Sequence, residues 1–177
     1  MMLAFARPTM VGALLPSSRA LAQAMAEAAD GAKLIVELGA GTGAITAGLV
    51  ERHPHVPTIA VELQDEMALM LAERFPQVDV RAASAHRVLR ELQPGSAGVA
   101  VVSSLPFRSL PPRWSGPTRM AIEHFLLAGA HRRLVQYTYQ PRVPFDLRGG
   151  DRLRWQRGRV VWRNAPPAWV WTLAARG

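Results

Sequence analysis

Glu37-Leu-Gly-Ala-Gly-Thr-Gly43 is the stretch of this chain best suited to grip a ligand. Glycines at 39, 41 and 43 allow a sharp turn and bring backbone N–H groups against a bound molecule with no Cβ in the way. Glu62 closes the next apolar run, Thr58–Val61. A carboxylate at that place accepts the hydroxyls of a ribose. Together the turn and the acid describe a site for a nucleoside.

Two cofactors suit such a site. Gly39-Ala-Gly-Thr-Gly-Ala44 satisfies the dinucleotide fingerprint when its last position is Ala. Glu37, two residues before the first glycine, argues against it: a carboxylate there repels a pyrophosphate and suits the ammonium and sulfonium of S-adenosylmethionine (SAM). SAM is therefore the leading expectation, ahead of a dinucleotide and of a purely structural turn.

Such a turn needs a strand before it and a helix after it. Ser17 or Ser18 caps a helix running to about Ala29, and Lys33–Glu37 is a short buried strand. Ala44–Arg52 is helical, Thr58–Val61 a second strand, and Asp65–Phe75 a helix with Met67, Met70 and Leu71 facing inward. Val78–Val80, Gly98–Ser103 and Arg133–Tyr139 continue the strands; Ala85–Leu92 and Thr118–Gly129 continue the helices. Arg159–Trp162 and Ala168–Leu173 bracket Asn164-Ala-Pro-Pro167 and close the chain as a hairpin. Alternating strands and helices imply an α/β fold with a mostly parallel sheet; a terminal hairpin implies an antiparallel edge. Residues 1–177 read as one domain, with 1–30 an N-terminal arm and helix over the site.

Composition narrows the chemistry. The chain has 177 residues and no cysteine, so disulfides, thiolate metal sites and cysteine nucleophiles are excluded. The five His residues are dispersed, fit surface or helix-end positions and suggest no metal site. No stretch approaches the roughly 20 apolar residues that cross a bilayer. Arg7 and Pro8 interrupt the apolar start Met1–Leu15, so no export signal is expected. The formal charge of +8 is uneven: residues 92–177 hold 13 Arg against Glu123, Asp146 and Asp151 alone. That half suits an anionic partner, either nucleic acid or an acidic lipid surface.

Glu37–Gly43, Glu62 and the layout of the chain resemble the class I SAM-dependent methyltransferases. Val11-Gly-Ala-Leu-Leu-Pro-Ser-Ser-Arg-Ala20, Gln136-Tyr-Thr-Tyr-Gln-Pro141 and Arg163-Asn-Ala-Pro-Pro-Ala-Trp-Val-Trp171 are similar to segments of the bacterial phospholipid N-methyltransferases, which methylate phosphatidylethanolamine. The resemblance covers nearly the whole chain. It implies a Rossmann-like fold: a seven-stranded, mostly parallel sheet with an antiparallel C-terminal edge and helices on both faces.

The same resemblance implies the site. Glu37, Gly39, Ala40, Gly41 and Gly43 would surround the methionine part of SAM, Glu62 and Leu63 the ribose, and Ser84 and Ala85 the adenine. Relatives commonly place Asp where Ser84 stands. Ser17 and Ser18 would lie over the cofactor. Ser103-Ser-Leu-Pro-Phe107 resembles the Asn-Leu-Pro-Tyr motif of the rRNA adenine dimethyltransferases, with Ser104 at the Asn position, Leu105 and Pro106 following, and Phe107 at the Tyr position. With the amide absent, and no helical RNA-binding domain expected after Gly177, a lipid amine is favoured over adenine. Phe107 and Tyr139 would hold the methylated cation against their rings, and Arg148 would meet the lipid phosphate. No metal or nucleophile is required, since the sulfonium activates the methyl group; the product is S-adenosylhomocysteine. The implied partners are a phospholipid and an anionic membrane surface, with the protein cytoplasmic and peripheral to the inner membrane. An RNA methyltransferase, or a SAM-fold binding module without turnover, are the alternatives.

Overall fold

The computed structural model describes residues 18–95, 97–148 and 150–176. Its helices are α1 (Arg19–Glu27), α2 (Ala44–Arg52), α3 (Asp65–Arg74), α4 (Ala85–Glu91) and α5 (Pro112–Leu127). Its strands are β1 (Leu34–Leu38), β2 (Thr58–Glu62), β3 (Asp79–Ala82), β4 (Val99–Ser103), β5 (Arg132–Thr138), β6 (Leu153–Val161) and β7 (Ala168–Ala175). They form one seven-stranded sheet in the order β3-β2-β1-β4-β5-β7-β6. β1 to β5 pair in parallel, while β7 runs antiparallel to both β5 and β6.

The four central residues that precede Ser103 explain why β4 lies at the middle: Val99, Ala100, Val101 and Val102 are all fully buried. A parallel strand covered on both faces has no solvent side, so it reads as an unbroken apolar run. Its side chains alternate between two cores. Val99 and Val101 pack with Val88 and Leu89 of α4 and Ile122, Phe125 and Leu126 of α5. Ala100 and Val102 pack on the opposite face with Leu21 and Met25 of α1 and Ile45 and Leu49 of α2. Leu71 and Phe75 close a third cluster beneath α3.

Three elements differ from the expectation. Helix α5 begins at Pro112, ahead of the expected Thr118, and carries Pro117 inside it. Pro117 removes only one intrahelical donor; the first turn is still closed by the Ser115 N–H on the Pro111 carbonyl at 2.9 Å, and Ser115 and Thr118 are buried. Met70 is 69% exposed and does not face inward; Ala68 and Leu71 occupy that face, about half a helical turn away. Strand β6 starts six residues early, at Leu153. Arg154, Gln156 and Arg157 sit on a sheet edge, where charged side chains are tolerated and mask the strand pattern.

Candidate functional site

Sheet order reverses at β1, whose neighbours are β2 and β4. The crevice beyond the strand ends at such a switch point is where an α/β sheet binds ligands. The glycine turn leaves β1 there, and its conformation explains its composition. Gly39 has φ +73°, and a Cβ on it would stand 2.7 Å from Leu105 Cδ2. Gly43 has φ +80°, and a Cβ would stand 2.6 Å from the Phe75 ring. Both positions demand glycine twice over, by backbone conformation and by space. Ala40 is buried within the same turn.

The two acids play different parts. Glu62 Oε2 accepts from the Gly41 N–H at 2.9 Å, and Oε1 accepts from the N–H groups of Leu63 and Gln64 at 2.9 and 3.0 Å. The carboxylate ties the glycine turn to the end of β2. A carboxylate offers about four lone-pair sites, so three backbone donors leave it able to accept a hydroxyl. Glu37 is 0% exposed. Its Oε2 accepts from Thr46 Oγ1 at 2.6 Å, while Oε1 has no partner. Burial pushes its carboxyl up to about 8; the Thr46 hydrogen bonds oppose this and the nearby Glu62 adds to it. A buried carboxyl with one unpartnered oxygen beside an open turn ionises most readily when a positive ligand is bound there.

A cavity of about 130 Å³ opens between the ends of β1, β2 and β3 and helix α5. Gly39, Glu62, Leu63, Ser84, Ala85 and Leu105 line it, all of them expected site residues. His86, Leu110, Trp114 and Thr118 line it too, and were not foreseen. His86 holds a helix-end position, as expected, in the first turn of α4, and is half-buried. Its ring lies 6.3 Å from that of Trp114, its Nε2 is 3.4 Å from Ser84 Oγ, and its Nδ1 is buried without a partner. Burial, reinforced by Arg90, depresses its pKa and favours the neutral imidazole. Trp114 was hidden in a Pro-, Ser- and Gly-containing stretch that reads as loop; Pro112 at the first helical position was the available signal.

From the segment after β4, Leu105 and Leu110 line this cavity, while Ser103 and Ser104 stand behind them. The Ser104 N–H donates to the Leu38 carbonyl at 3.0 Å, Ser103 Oγ accepts from the Leu105 N–H at 3.2 Å, and Gln136 Nε2 donates to the Leu105 carbonyl at 3.1 Å. Residues 103–105 are thus pinned between β1 and β5. Ser104 Oγ is buried with no partner. Pro106 is exposed and opens a turn closed by the N–H groups of Ser109 and Leu110.

Other expected residues fall elsewhere. Phe107 is buried in the α4–α5 core, its ring 4.8 Å from that of Phe145. Tyr139 packs toward the α1–α2 core, 5.5 Å from the Tyr137 ring, and burial pushes its hydroxyl up to about 12. The two rings belong to opposite faces of the sheet and form no shared cage. Arg148 also departs from expectation. Its backbone N–H donates to both Glu123 carboxylate oxygens at 3.2 Å, well along α5. The nearby Leu153 pairs with Ala175, beyond the Ala174 that pairs with Arg133 at the start of β5. Arg148 therefore lies toward the end of the sheet opposite the glycine turn, because the chain leaving β5 runs back past Glu123 of α5 before entering β6. Ser18 caps α1, its Oγ accepting from the Leu21 N–H at 3.2 Å. Ser17 lies outside the described residues.

The sheet order, the glycine turn and the terminal hairpin define the Rossmann-like fold of the class I methyltransferases, as the sequence led us to expect. Solved structures of that fold superpose on most of the chain. The 23S rRNA methyltransferase ErmE matches with a TM-score of 0.60 and 18% identity, covering 90% of this chain and 69% of its own. TrmN from Thermus thermophilus matches with a TM-score of 0.65 and 17% identity, covering 88% and 48%. Among curated proteins, the ornithine lipid N-methyltransferase of Singulisphaera acidiphila is 35% identical over 115 residues, 60% of each chain. An uncharacterized methyltransferase-like protein of Schizosaccharomyces pombe is 46% identical over 56 residues, 32% of this chain and 22% of its own. The ribosomal RNA small subunit methyltransferase A of Salinibacter ruber is 45% identical over 47 residues, 27% of this chain and 15% of its own. This chain thus spans at most 60% of the length of these curated relatives. No family model matches.

Proposed function

We propose that this chain is a SAM-dependent N-methyltransferase whose acceptor is the amine of phosphatidylethanolamine or a similar amino lipid, working at the cytoplasmic face of a membrane. The observation that carries the reading is Ser104. The carboxamide that would fix an adenine amine is replaced by a small hydroxyl, buried, without a partner and pinned beside the turn. The similarity to an ornithine lipid N-methyltransferase, broader than the similarity to the ribosomal enzyme, supports the same choice. Among the described residues no helix is long and apolar enough to cross a membrane, so contact with lipid would be peripheral.

The residues present fit the cofactor. Gly39, Gly41 and Gly43 would cradle its methionine part, Glu62 and Leu63 its ribose, and Ser84, Ala85, His86 and Trp114 its adenine. Bound there, SAM supplies a methyl group already activated by the sulfonium. The chain's own work is alignment, water exclusion and proton control. Ser104 Oγ accepts an N–H of the acceptor amine and leaves the nitrogen lone pair free. The amine must be unprotonated when it reacts, and each methylation releases a proton that passes to water. Buried Glu37 acts through its field, its ionised form favouring a positively charged ligand at the turn. Leu105, pressed against Gly39, keeps water from the reacting side.

RNA is the second reading, favoured by the 13 Arg after residue 91. Incubation with methyl-labelled SAM, vesicles containing phosphatidylethanolamine or ornithine lipid, and rRNA in parallel separates the two. Label is expected in lipid. Label confined to rRNA overturns the lipid proposal.

A further inference from the structure

We infer that Trp162 and the exposed guanidiniums of Arg108, Arg142 and Arg163 form one rim that seats the glycine-turn end of the sheet on an anionic bilayer. The inference rests on the amino-lipid reading and specifies which surface meets the lipid.

Sheet register places the four residues together at one end. Val161 pairs with Ala168, one step beyond the level at which Trp169 pairs with Thr138, the last residue of β5. Trp162 and Arg163 therefore stand level with the chain leaving β5. Trp162 is 74% exposed, the most exposed large apolar side chain among the described residues. Arg142 lies in the loop after β5 and Arg108 in the loop after β4, and the two loops are joined by Arg108 Nη1 donating to the Val143 carbonyl at 3.2 Å. Strand β6 is three strand spacings from β4, about 15 Å, so a lipid held at the rim can reach Leu105 beside the glycine turn.

Charge and polarity at this end fit a bilayer interface. Segments 104–116, 139–145 and 162–168 contain no Asp or Glu. Arg108, Arg142 and Arg163 make no ion pair among the described residues. The acids at this end are Glu37, buried in β1, and Glu62, Asp65 and Glu66 at the end of β2 and the start of α3, all on the far side of β4 from the rim. Exposed Pro141 and Pro166 flank the guanidiniums with apolar surface. Indole rings settle at the headgroup level of membranes, and basic side chains are drawn to anionic lipid beside them. The turn that carries Trp162 also holds Ser18, through Asn164.

The test uses the full chain, sedimented with vesicles of phosphatidylcholine alone or with phosphatidylglycerol added. Three variants are compared: Trp162→Ala, the rim triple Arg108→Ala/Arg142→Ala/Arg163→Ala, and a matched triple Arg152→Ala/Arg154→Ala/Arg157→Ala elsewhere on the basic half. Titration with S-adenosylhomocysteine confirms that each retains its fold. At about fivefold per basic residue, the rim triple should lose roughly a hundredfold in affinity for the anionic vesicles, Trp162→Ala about tenfold, and the matched triple far less. Equal losses for the two triples with no effect of Trp162→Ala would overturn the rim in favour of diffuse charge. Rim-dependent binding of an rRNA fragment without vesicle binding would overturn it in favour of a nucleic-acid surface. Lipid that is methylated while sedimentation ignores the rim sinks the rim alone. Lipid that stays unlabelled while sedimentation depends on the rim sinks the proposed acceptor and leaves the rim standing.

Discussion

The backbone N–H of Ser18 donates to Asn164 Oδ1 at 3.1 Å, joining positions 146 residues apart. Asn164 is buried, and its Nδ2 donates to the Pro166 carbonyl at 2.7 Å. One amide thereby fixes both the β6–β7 turn and the entry to α1. Two of the segments that resemble the phospholipid methyltransferases meet in this contact.

Asn164→Ala removes these bonds, with the one it makes to Tyr139, and strands the half-buried Ser18 N–H. It should cost about 2 kcal/mol, a fall in melting temperature of roughly 4–8 °C for a chain of this size. A thermal melt measures it, and an unchanged midpoint would show that the staple carries no stability.

Glu37 gives the ligand-free protein a distinctive pH profile. Its folded-state pKa of about 8 lies above the ordinary value of 4.5, so the native state holds a proton that the unfolded chain releases between those limits. Stability is therefore full below about 4.5 and declines as pH rises to about 8, by at most roughly 1.4 kcal/mol per pH unit. Glu37→Gln should flatten that decline. Binding of SAM should expel the proton, so titrations near pH 7 in buffers of different ionisation heat should differ in observed enthalpy, and the variant's should coincide.

Gly39→Ala places a methyl group against Leu105 at a backbone conformation that costs about 1–3 kcal/mol for a non-glycine residue. The wall at 103–105 must shift. Affinity for S-adenosylhomocysteine should fall at least tenfold by calorimetry, while far-ultraviolet circular dichroism stays that of the native fold.

Trp114 tests the cavity. It is half-buried and lines the space beside His86, so Trp114→Ala should weaken S-adenosylhomocysteine binding by roughly 1–2 kcal/mol through lost ring contact. Wild-type affinity in this variant would mean that the adenosyl group lies elsewhere.

Ser104→Ala separates substrate from cofactor. The variant should bind S-adenosylhomocysteine normally and lose about fivefold to tenfold in kcat, the effect of one hydrogen bond. A change confined to cofactor affinity would place Ser104 in the wrong role.

Much of the site was legible because its signals are local. The turn from Gly39 to Gly43 needs left-handed backbone wherever it occurs, and Glu37 and Glu62 are adjacent to it through short, buried strands. Trp114 was missed because Pro117 reads as a helix boundary, whereas burial of Ser115 and Thr118 carries the helix through it. His86 stands in the first turn of α4, a helix-end position as expected, but nothing in its neighbours announces a cavity that only α5 completes.

The sequence by itself determined the alternation of strands and helices, the conformation of the glycine turn and the two acids that accompany it, since hydrophobic period and backbone sterics act over a few residues. Only the tertiary structure decided that Phe107 and Tyr139 part to opposite faces, that Arg148 ends far from the turn, and that Ser18 meets Asn164. Those outcomes depend on strand order and on which face each side chain takes, and a shift of one residue in register inverts the face. They are settled when the sheet assembles, by contacts between segments that carry no local mark of one another.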